Sequence, residues 1–383
     1  MIQQRKDKVS TSSRQFPPFI EKHQLRYYIS LSAPPTRTPV DGTESFIRPE
    51  IGFNPSWFHK FCDIDFSRQW HIDPEYRLQS YEKMRNEIKR RFPGRNIGGI
   101  LNDQPPDLLT GVYGAAVISA VFGQQLEYYP DKWPAYKGDY LSDEDTATLK
   151  VIDWNRNPVF EDILRQLEII ENLTGSVRGF LNWQGVLNMA FRLRGQQIFI
   201  DLIVNPSLAH HLFEVIAESL IQGIKAIYAR QKQSEIQYEF ASIGNCVVNM
   251  LSPQQYSTHV LPFDLKIRSE FKHFGIHNCA WNVDPYIEAY ATVPNLGYID
   301  MGLASDLNKI RELLPHARRN VLYTCMDLVN KPQEEIRNDI ERIAQELAPC
   351  DIGLPDLEMD VPDDRVIMIL DWCEEMTDKY YNL

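Results

Sequence analysis

Two residues that commonly bind metal ions lie two positions apart in the segment FGIHNC, residues 274–279. His277 and Cys279 point to the same face if this apolar run is a β-strand, because side chains alternate along a strand. An imidazole and a thiolate side by side supply half of the ligands of a zinc site. The alternative is that both are ordinary buried residues, since a chain with nine histidines and six cysteines can contain such a pair by chance.

Two more residues could complete the site. Cys350 lies around the end of the last predicted strand, and Asp300 lies at the end of another, in LGYIDMG. With His277 and Cys279 they would form a tetrahedral set of one nitrogen, two sulfurs and one oxygen. Asp300 could equally be a strand-end carboxylate that caps the following helix.

The elements that must position these residues alternate from residue 96 onward. Apolar runs predict strands at 96–101, 176–182, 244–250, 274–279, 296–302, 320–325 and 349–354. Amphipathic stretches predict helices at 74–91, 206–231, 253–273, 284–293, 305–314, 332–347 and 362–379. This alternation is typical of βαβ units, and so many units favour a closed (β/α)8 TIM barrel, an α/β fold whose chemistry lies at the carboxyl ends of its strands.

The first 95 residues differ from the rest in being rich in proline, arginine and aromatic residues. We therefore expect 1–95 to be an N-terminal extension, partly helical and packed on the barrel, and 96–383 to be the barrel itself. No GxGxxG or GxxxxGK[ST] motif is present, so the sequence does not indicate a nucleotide-binding fold.

The composition excludes several classes of function. A net charge of −12 argues against a nucleic-acid partner, and no apolar run is long enough to predict a membrane helix. The N-terminus has no apolar core of a secretory signal, and no two of the six cysteines form a CxxC motif. We therefore expect a cytoplasmic protein with reduced thiols and no membrane partner.

Several longer segments resemble the uroporphyrinogen decarboxylase superfamily. They are NWQGVLNMAFRLRGQQIFIDLIVNPSLAHHLFEVIAE (182–218), MLSPQQYSTHVLPFDLKI (250–267), LGYIDMGLASDLNKIRELL and NVLYTCMDLVNKPQEEIRNDI. The resemblance extends over about 100–380 and implies a (β/α)8 barrel. The closest branch is that of the zinc-dependent cobamide methyltransferases, whose His-x-Cys…Cys motif would fall on His277, Cys279 and Cys350. Asp300 falls where the similar cobalamin-independent methionine synthases have an acidic fourth ligand.

This resemblance implies a zinc-dependent enzyme that moves a methyl group from a methylated corrinoid protein to a small thiol such as coenzyme M. Zn²⁺ would be the resident cofactor, and the partner protein would supply the methylcobamide. Asp300 would leave the metal when the thiol enters. Three residues near predicted strand ends are expected to contact the substrates: Trp183, Asn245 and Trp281.

Two alternatives remain open. One is a decarboxylase-like enzyme that acts on a tetrapyrrole or another polycarboxylate without metal. That branch has an arginine-rich motif of the form RQAGR-Y-x-P-E-Y, and IRPEIGFNPSW and SRQWHIDPEYR lack its paired arginines. The other is a non-catalytic corrinoid- or porphyrin-binding protein. The methyl donor and acceptor, the fourth zinc ligand, the role of 1–95 and the oligomeric state are not specified by the sequence.

Overall fold

A parallel six-stranded sheet lies at the centre of the computed structural model, which describes residues 46–97 and 105–380. In chain order the described strands are β1 (Ile47–Phe53), β2 (Gln125–Glu127), β3 (Ala135–Lys137), β4 (Phe240–Gly244), β5 (His273–His277), β6 (Leu296–Gly302), β7 (Arg318–Leu322) and β8 (Cys350–Leu357). The order across the large sheet is β1-β8-β7-β6-β5-β4, and β2 and β3 form a separate antiparallel pair. The predicted α/β class with a parallel sheet is therefore confirmed.

Helices surround this sheet. Those of the described residues are α1 (Pro55–Cys62), α2 (Arg68–Ile72), α3 (Pro74–Arg91), α4 (Val117–Val121), α5 (Asp143–Thr148), α6 (Pro158–Thr174), α7 (Val186–Arg194), α8 (Gln197–Val204), α9 (Pro206–Gln233), α10 (Pro253–Gln255), α11 (Leu261–Ser269), α12 (Ile287–Ala291), α13 (Leu307–Leu313), α14 (Cys325–Asn330), α15 (Gln333–Glu346) and α16 (Asp363–Tyr380). A π-helical turn, Tyr256–Val260, joins α10 to α11. None of the helices described here has the length and apolar character needed to cross a bilayer.

Local signals explain several helix starts. The side chain of Asp73 accepts hydrogen bonds from the backbone N–H groups of Glu75 and Tyr76, and Pro74 occupies the first turn of α3. Asn205 and Pro206 start α9 in the same way. A side-chain acceptor satisfies N–H groups that have no partner inside the helix, and proline lacks one of them. The predicted helix at 74–91 is confirmed at both ends.

The sheet begins earlier in the chain than predicted. β1 pairs in parallel with β8, so a strand of the main sheet lies within the segment that we expected to be an extension, and residue 96 is not where the sheet starts. The sequence of β1, IRPEIGF, does not look like a buried strand because it contains two charged residues. Both of them, Arg48 and Glu50, are nevertheless completely enclosed. The rest of the proposed division at residue 96 stays a prediction.

Other predicted strands need correction. β4 ends at Gly244, where the predicted strand began, because the apolar residues after it form a short 3₁₀ turn at Val248–Met250. The segment 176–182 contains no strand, although Gln184 forms a parallel bridge with Gly244 beyond the edge of β4. Most of the predicted strand at 96–101 lies outside the described residues. Within those residues the hydrogen-bonded sheet ends at β1 and at this bridge.

A buried charge cluster occupies one face of the sheet near the amino ends of its strands. Nε of Arg48 lies 2.7 Å from Oδ1 of Asp351, and Arg318 donates to both Asp351 and Glu50. Burial alone lowers the pKa of Arg318, but the carboxylates of Asp351 and Glu50 outweigh it and raise that pKa above its usual value. Each charge is therefore held by an opposite one.

Polar contacts continue from this cluster toward the carboxyl end of β6. Nδ2 of Asn320 lies 3.2 Å from Oε2 of Glu50 and 3.3 Å from the hydroxyl of Tyr298. That hydroxyl donates to Oδ2 of Asp300 over 3.0 Å. All four side chains are buried. The polar face of the sheet thus provides a chain of buried hydrogen bonds that reaches Asp300.

Candidate metal centre

The thiols of Cys246 and Cys279 meet at the carboxyl ends of two neighbouring strands. Both strands run into the sequence Ile-x-Asn-Cys, which is IGNC at the end of β4 and IHNC at the end of β5. Gly244 and His277 are direct partners in the parallel register, so each cysteine lies two residues beyond the same paired position. The two Sγ atoms are 2.7 Å apart.

His277 completes a group of three metal-binding side chains. Its Nε2 lies 2.9 Å from Sγ of Cys279, and the ligand atoms of Cys246, His277 and Cys279 all lie within 4.8 Å of one another. In the described part of the chain no other group of three His, Cys, Asp or Glu residues is arranged in this way. Cys246 is half-buried and Cys279 is exposed, so a small molecule can reach the group.

Cys246 was missed in the sequence because the predicted strand at 244–250 placed it inside a strand. The observed end of β4 at Gly244 moves it into the loop at the open end of the sheet. The repeated Asn-Cys at two strand ends was the signal that could have revealed it.

Asp300 contacts Nδ1 of His277, on the side of the ring away from the thiols. Its Oδ2 accepts hydrogen bonds from Nδ1 of His277 over 2.7 Å and from the hydroxyl of Tyr298, and its Oδ1 accepts one from the backbone N–H of Asn278 over 2.6 Å. A carboxylate on Nδ1 fixes the proton there and leaves the Nε2 lone pair directed at the sulfurs. Asp300 therefore lies where it can orient His277, and its expected roles as a fourth ligand and a catalytic group stay predictions.

The loop that carries Cys279 has an unusual backbone. Cys279 and Ala280 are both left-handed, with φ of 52° and 60°. Such conformations are uncommon outside glycine and persist where surrounding contacts hold them. The loop packs so closely on β6 that a Cβ at Gly302 would lie 2.0 Å from the backbone oxygen of Ala280. Gly302 is therefore required for the position of Cys279.

The loop that carries Cys246 is held by buried amides. The side-chain oxygen of Asn188, on α7, accepts the backbone N–H of Val247 over 3.0 Å. On the other side, Nδ2 of Asn245 donates to Oδ2 of Asp264 over 2.9 Å. Burial raises the pKa of Asp264 to about 7, although hydrogen bonds from Asn245 and a tyrosine oppose the shift. Asn245 is completely enclosed and supports the loop, and its contact with a substrate stays a prediction.

Cys350 does not join the group. It is the first residue of β8, at the amino end of the sheet, whereas His277 is the last residue of β5 at the opposite end. Its neighbour Asp351 contacts the buried arginines, so alternation directs Cys350 to the other face, close to Cys373. Burial raises the pKa of this thiol to about 12. The prediction of Cys350 as a ligand is therefore wrong, and Cys246 occupies that place.

The two predicted tryptophans lie in different surroundings. Trp281 is half-buried two residues after Cys279, and its backbone oxygen accepts the N–H of Gly302, so it belongs to the loop at the site. Trp183 is only 2% exposed, and its ring packs 6.4 Å from that of Trp154. A substrate contact remains a prediction for Trp281, whereas Trp183 is enclosed.

Arg192 is a residue that the sequence did not single out. It lies on α7, and its guanidinium is close enough to Cys246 and Cys279 to interact electrostatically with both. It donates one hydrogen bond to the backbone oxygen of Ala115, and its Cζ lies 5.6 Å from the ring centroid of Tyr136. Burial lowers its pKa. None of the described carboxylates forms an ion pair with this guanidinium, which places a positive charge beside the thiols.

This chain shares its fold with a solved structure, a methyltransferase from Methanosarcina mazei. The two chains are 13% identical and superpose with a TM-score of 0.60, and the match covers 93% of this chain and 94% of the other. At this level of identity the likeness shows the fold alone. No protein-family model matches the chain, and no curated protein matches it in sequence.

Proposed function

We propose that this protein is a zinc-dependent methyltransferase that moves a methyl group from a methylated corrinoid protein to a small thiol. The observation that carries the proposal is the convergence of Cys246, His277 and Cys279 at the open end of the sheet. The fold likeness to a methyltransferase supports it. The resemblance to the cobamide methyltransferase branch supports it as well, with Cys246 in place of the expected Cys350.

The residues present suit zinc. Two thiolates and one imidazole are a usual donor set for Zn²⁺, and three protein ligands leave a fourth position for a substrate. A bound zinc would lower the pKa of a coordinated thiol and hold it as the nucleophilic thiolate. His277 would offer Nε2, because Asp300 holds the proton on Nδ1.

Arg192 bears on the choice of acceptor. A half-buried guanidinium without a described counter-charge binds an anion better than a neutral group, since charged hydrogen bonds are the stronger ones. A small thiol with an acidic group, such as coenzyme M, would place its sulfur at the fourth position of the zinc and its acidic group at Arg192. The corrinoid partner would approach the same open end.

The larger architecture belongs to the same proposal. We take the six described parallel strands to be most of a (β/α)8 barrel of the uroporphyrinogen decarboxylase type. The bridge between Gln184 and Gly244 supports this, because it continues the sheet beyond β4 into the segment before α7.

The test is a methyl-transfer assay on the full chain loaded with zinc under reducing conditions. Methylcobalamin serves as donor and coenzyme M as acceptor, and the methylated thiol is measured by mass spectrometry. We expect turnover in the wild type and in Cys325→Ala, and a loss of at least about 100-fold in Cys246→Ala, because a ligand is missing.

Two results would contradict the proposal. One is equal activity in Cys246→Ala and the wild type. The other is no transfer to any of a panel of anionic and neutral thiols by zinc-loaded protein. Incubation with uroporphyrinogen is a parallel arm, and decarboxylated products without added metal would favour the decarboxylase alternative.

A further inference from the structure

The distance between the two thiols does not match that in a metal site. Two thiolates on one tetrahedral zinc lie roughly 3.7 Å apart, since each Zn–S bond is about 2.3 Å. A disulfide bond measures about 2.05 Å. Sγ of Cys246 and Sγ of Cys279 are 2.7 Å apart, which is nearer to the covalent distance than to the metal-bound one.

The backbone around the pair favours a cross-strand bond. The cysteines follow the registered partners Gly244 and His277, and the backbone N–H of Asn245 donates to the oxygen of His277 over 2.8 Å. The two loops are therefore tied together next to the thiols, on neighbouring strands whose spacing is typically about 4.8 Å. Disulfides join residues whose Cα atoms are roughly 4.4–6.8 Å apart.

The two sulfurs also differ in access. Cys279 is exposed and Cys246 is half-buried behind it. An oxidant reaches the exposed sulfur first, and a resolving thiol then lies only 2.7 Å away. This arrangement of an accessible cysteine next to a resolving one is the usual one for reversible thiol oxidation.

We propose that Cys246 and Cys279 form a reversible disulfide when the metal is absent and a hydroperoxide is present. Sγ of Cys279 attacks the peroxide oxygen, the O–O bond breaks, and a sulfenic acid and one water form from hydrogen peroxide. Sγ of Cys246 then attacks that sulfur, the S–O bond breaks, and a second water leaves. The two thiols lose two protons and two electrons, and the peroxide is reduced to two waters.

The disulfide and metal binding exclude each other, because both use the same two sulfurs. Oxidation would leave His277 without its two thiolate neighbours, and a dithiol reductant would restore the site. Bound zinc should in turn protect the pair from oxidation. The site would therefore respond to the redox state of its surroundings.

The test is oxidation of the full chain after removal of metal with a chelator. Trypsin places Cys246 in the peptide 233–266 and Cys279 in the peptide 273–309, each with a single cysteine. With a small excess of hydrogen peroxide we expect these two peptides to be linked, and the thiols of the denatured chain to fall from six to four. Zinc loaded beforehand should slow the linkage by about tenfold or more.

Paired variants make the outcome specific. Cys325→Ser should still give the linked peptides, whereas Cys246→Ser should give none and should leave a sulfenic acid on Cys279 that dimedone captures. A chain that accumulates sulfinic acid at Cys279 without any linkage, or that links either peptide to another cysteine, overturns the proposal. Disulfide formation in a protein that does not bind zinc would contradict the proposed function and support this inference. Zinc binding without disulfide formation would support the proposed function and contradict this inference.

Discussion

The two ends of the central sheet contain the same types of side chain in different surroundings. At the amino end Cys350 is enclosed, and burial raises the pKa of its thiol to about 12. At the carboxyl ends of β4 and β5, Cys246 and Cys279 are accessible and lie beside an imidazole. A thiol at one end is a packing group, and a thiol at the other is a candidate ligand.

The carboxylates show the same contrast. Asp351 at the amino end is held between two buried arginines, so its charge is balanced inside the protein. Asp300, toward the other end, accepts hydrogen bonds from His277, Tyr298 and a backbone N–H. The amino end therefore stabilises the fold and the carboxyl end orients a reactive group. Changes at matched positions should separate these two roles.

The largest effect on stability is expected from Asp351→Asn. The change removes one of the negative charges that balance Arg48 and Arg318, and breaking a buried ion pair typically costs about 3–5 kcal/mol. Urea unfolding measures the loss. Zinc affinity should stay within about twofold of the wild type, because the site is at the far end of the sheet. A stability loss below about 1 kcal/mol would show that the cluster is not what holds this end together.

Asp264 should make stability depend on pH. Its pKa is about 7 in the folded protein, above its ordinary value of 3.8. The protonated form is therefore favoured by folding, and its contribution is fully present below the ordinary value and is lost as pH rises through 7. Between pH 5 and pH 8 the wild type should lose on the order of 2–3 kcal/mol more than Asp264→Asn, which cannot ionise. The same pH dependence of the free energy of unfolding in the two proteins would contradict this.

Asp300→Asn should weaken metal binding more than Asp351→Asn does. The amide no longer fixes the proton on Nδ1 of His277, and loss of such an orienting partner typically lowers metal affinity about 10–100-fold. Competition with a coloured zinc chelator measures the affinity. The two variants remove the same charge, so the amino-end variant is the matched control. Equal zinc affinities in both would mean that Asp300 does not orient the ligand.

The smallest effect is expected from Arg192→Gln. Loss of the guanidinium should raise the KM for an anionic thiol about tenfold and leave the KM for a neutral thiol of similar size nearly unchanged. Arg192→Lys keeps the charge, so its KM for the anionic thiol should lie between those of the wild type and Arg192→Gln. The measurement is methyl transfer with both thiols. An equal rise for the neutral thiol would show that Arg192 supports the loop rather than the substrate.

Much of the fold followed from local patterns. The alternation of apolar runs and amphipathic stretches gave β6 and α3 with the observed bounds, because each is decided by near neighbours in the chain. β1 was missed because Arg48 and Glu50 are buried only by virtue of partners about 270–300 residues away. Burial that depends on distant charges has no local signal.

Two of the three candidate ligands were also predicted from the sequence. His277 and Cys279 could be paired because the period of a strand fixes their common face. The third ligand was assigned to Cys350 instead of Cys246, because the choice depends on where β4 ends and where β8 begins. β4 ends at Gly244 instead of beginning there, so Cys246 lies at the carboxyl end of the sheet, and β8 begins at Cys350, so that thiol lies at the amino end.

Zinc binding by paired cysteine variants tests the central claim most directly. The wild type and Cys350→Ser, reduced and freed of metal, should each bind one zinc per chain with the same affinity. Cys246→Ser should bind it at least about 100-fold more weakly, because one of three protein ligands is lost. The account is contradicted if Cys350→Ser loses zinc while Cys246→Ser keeps it, or if the wild type binds none.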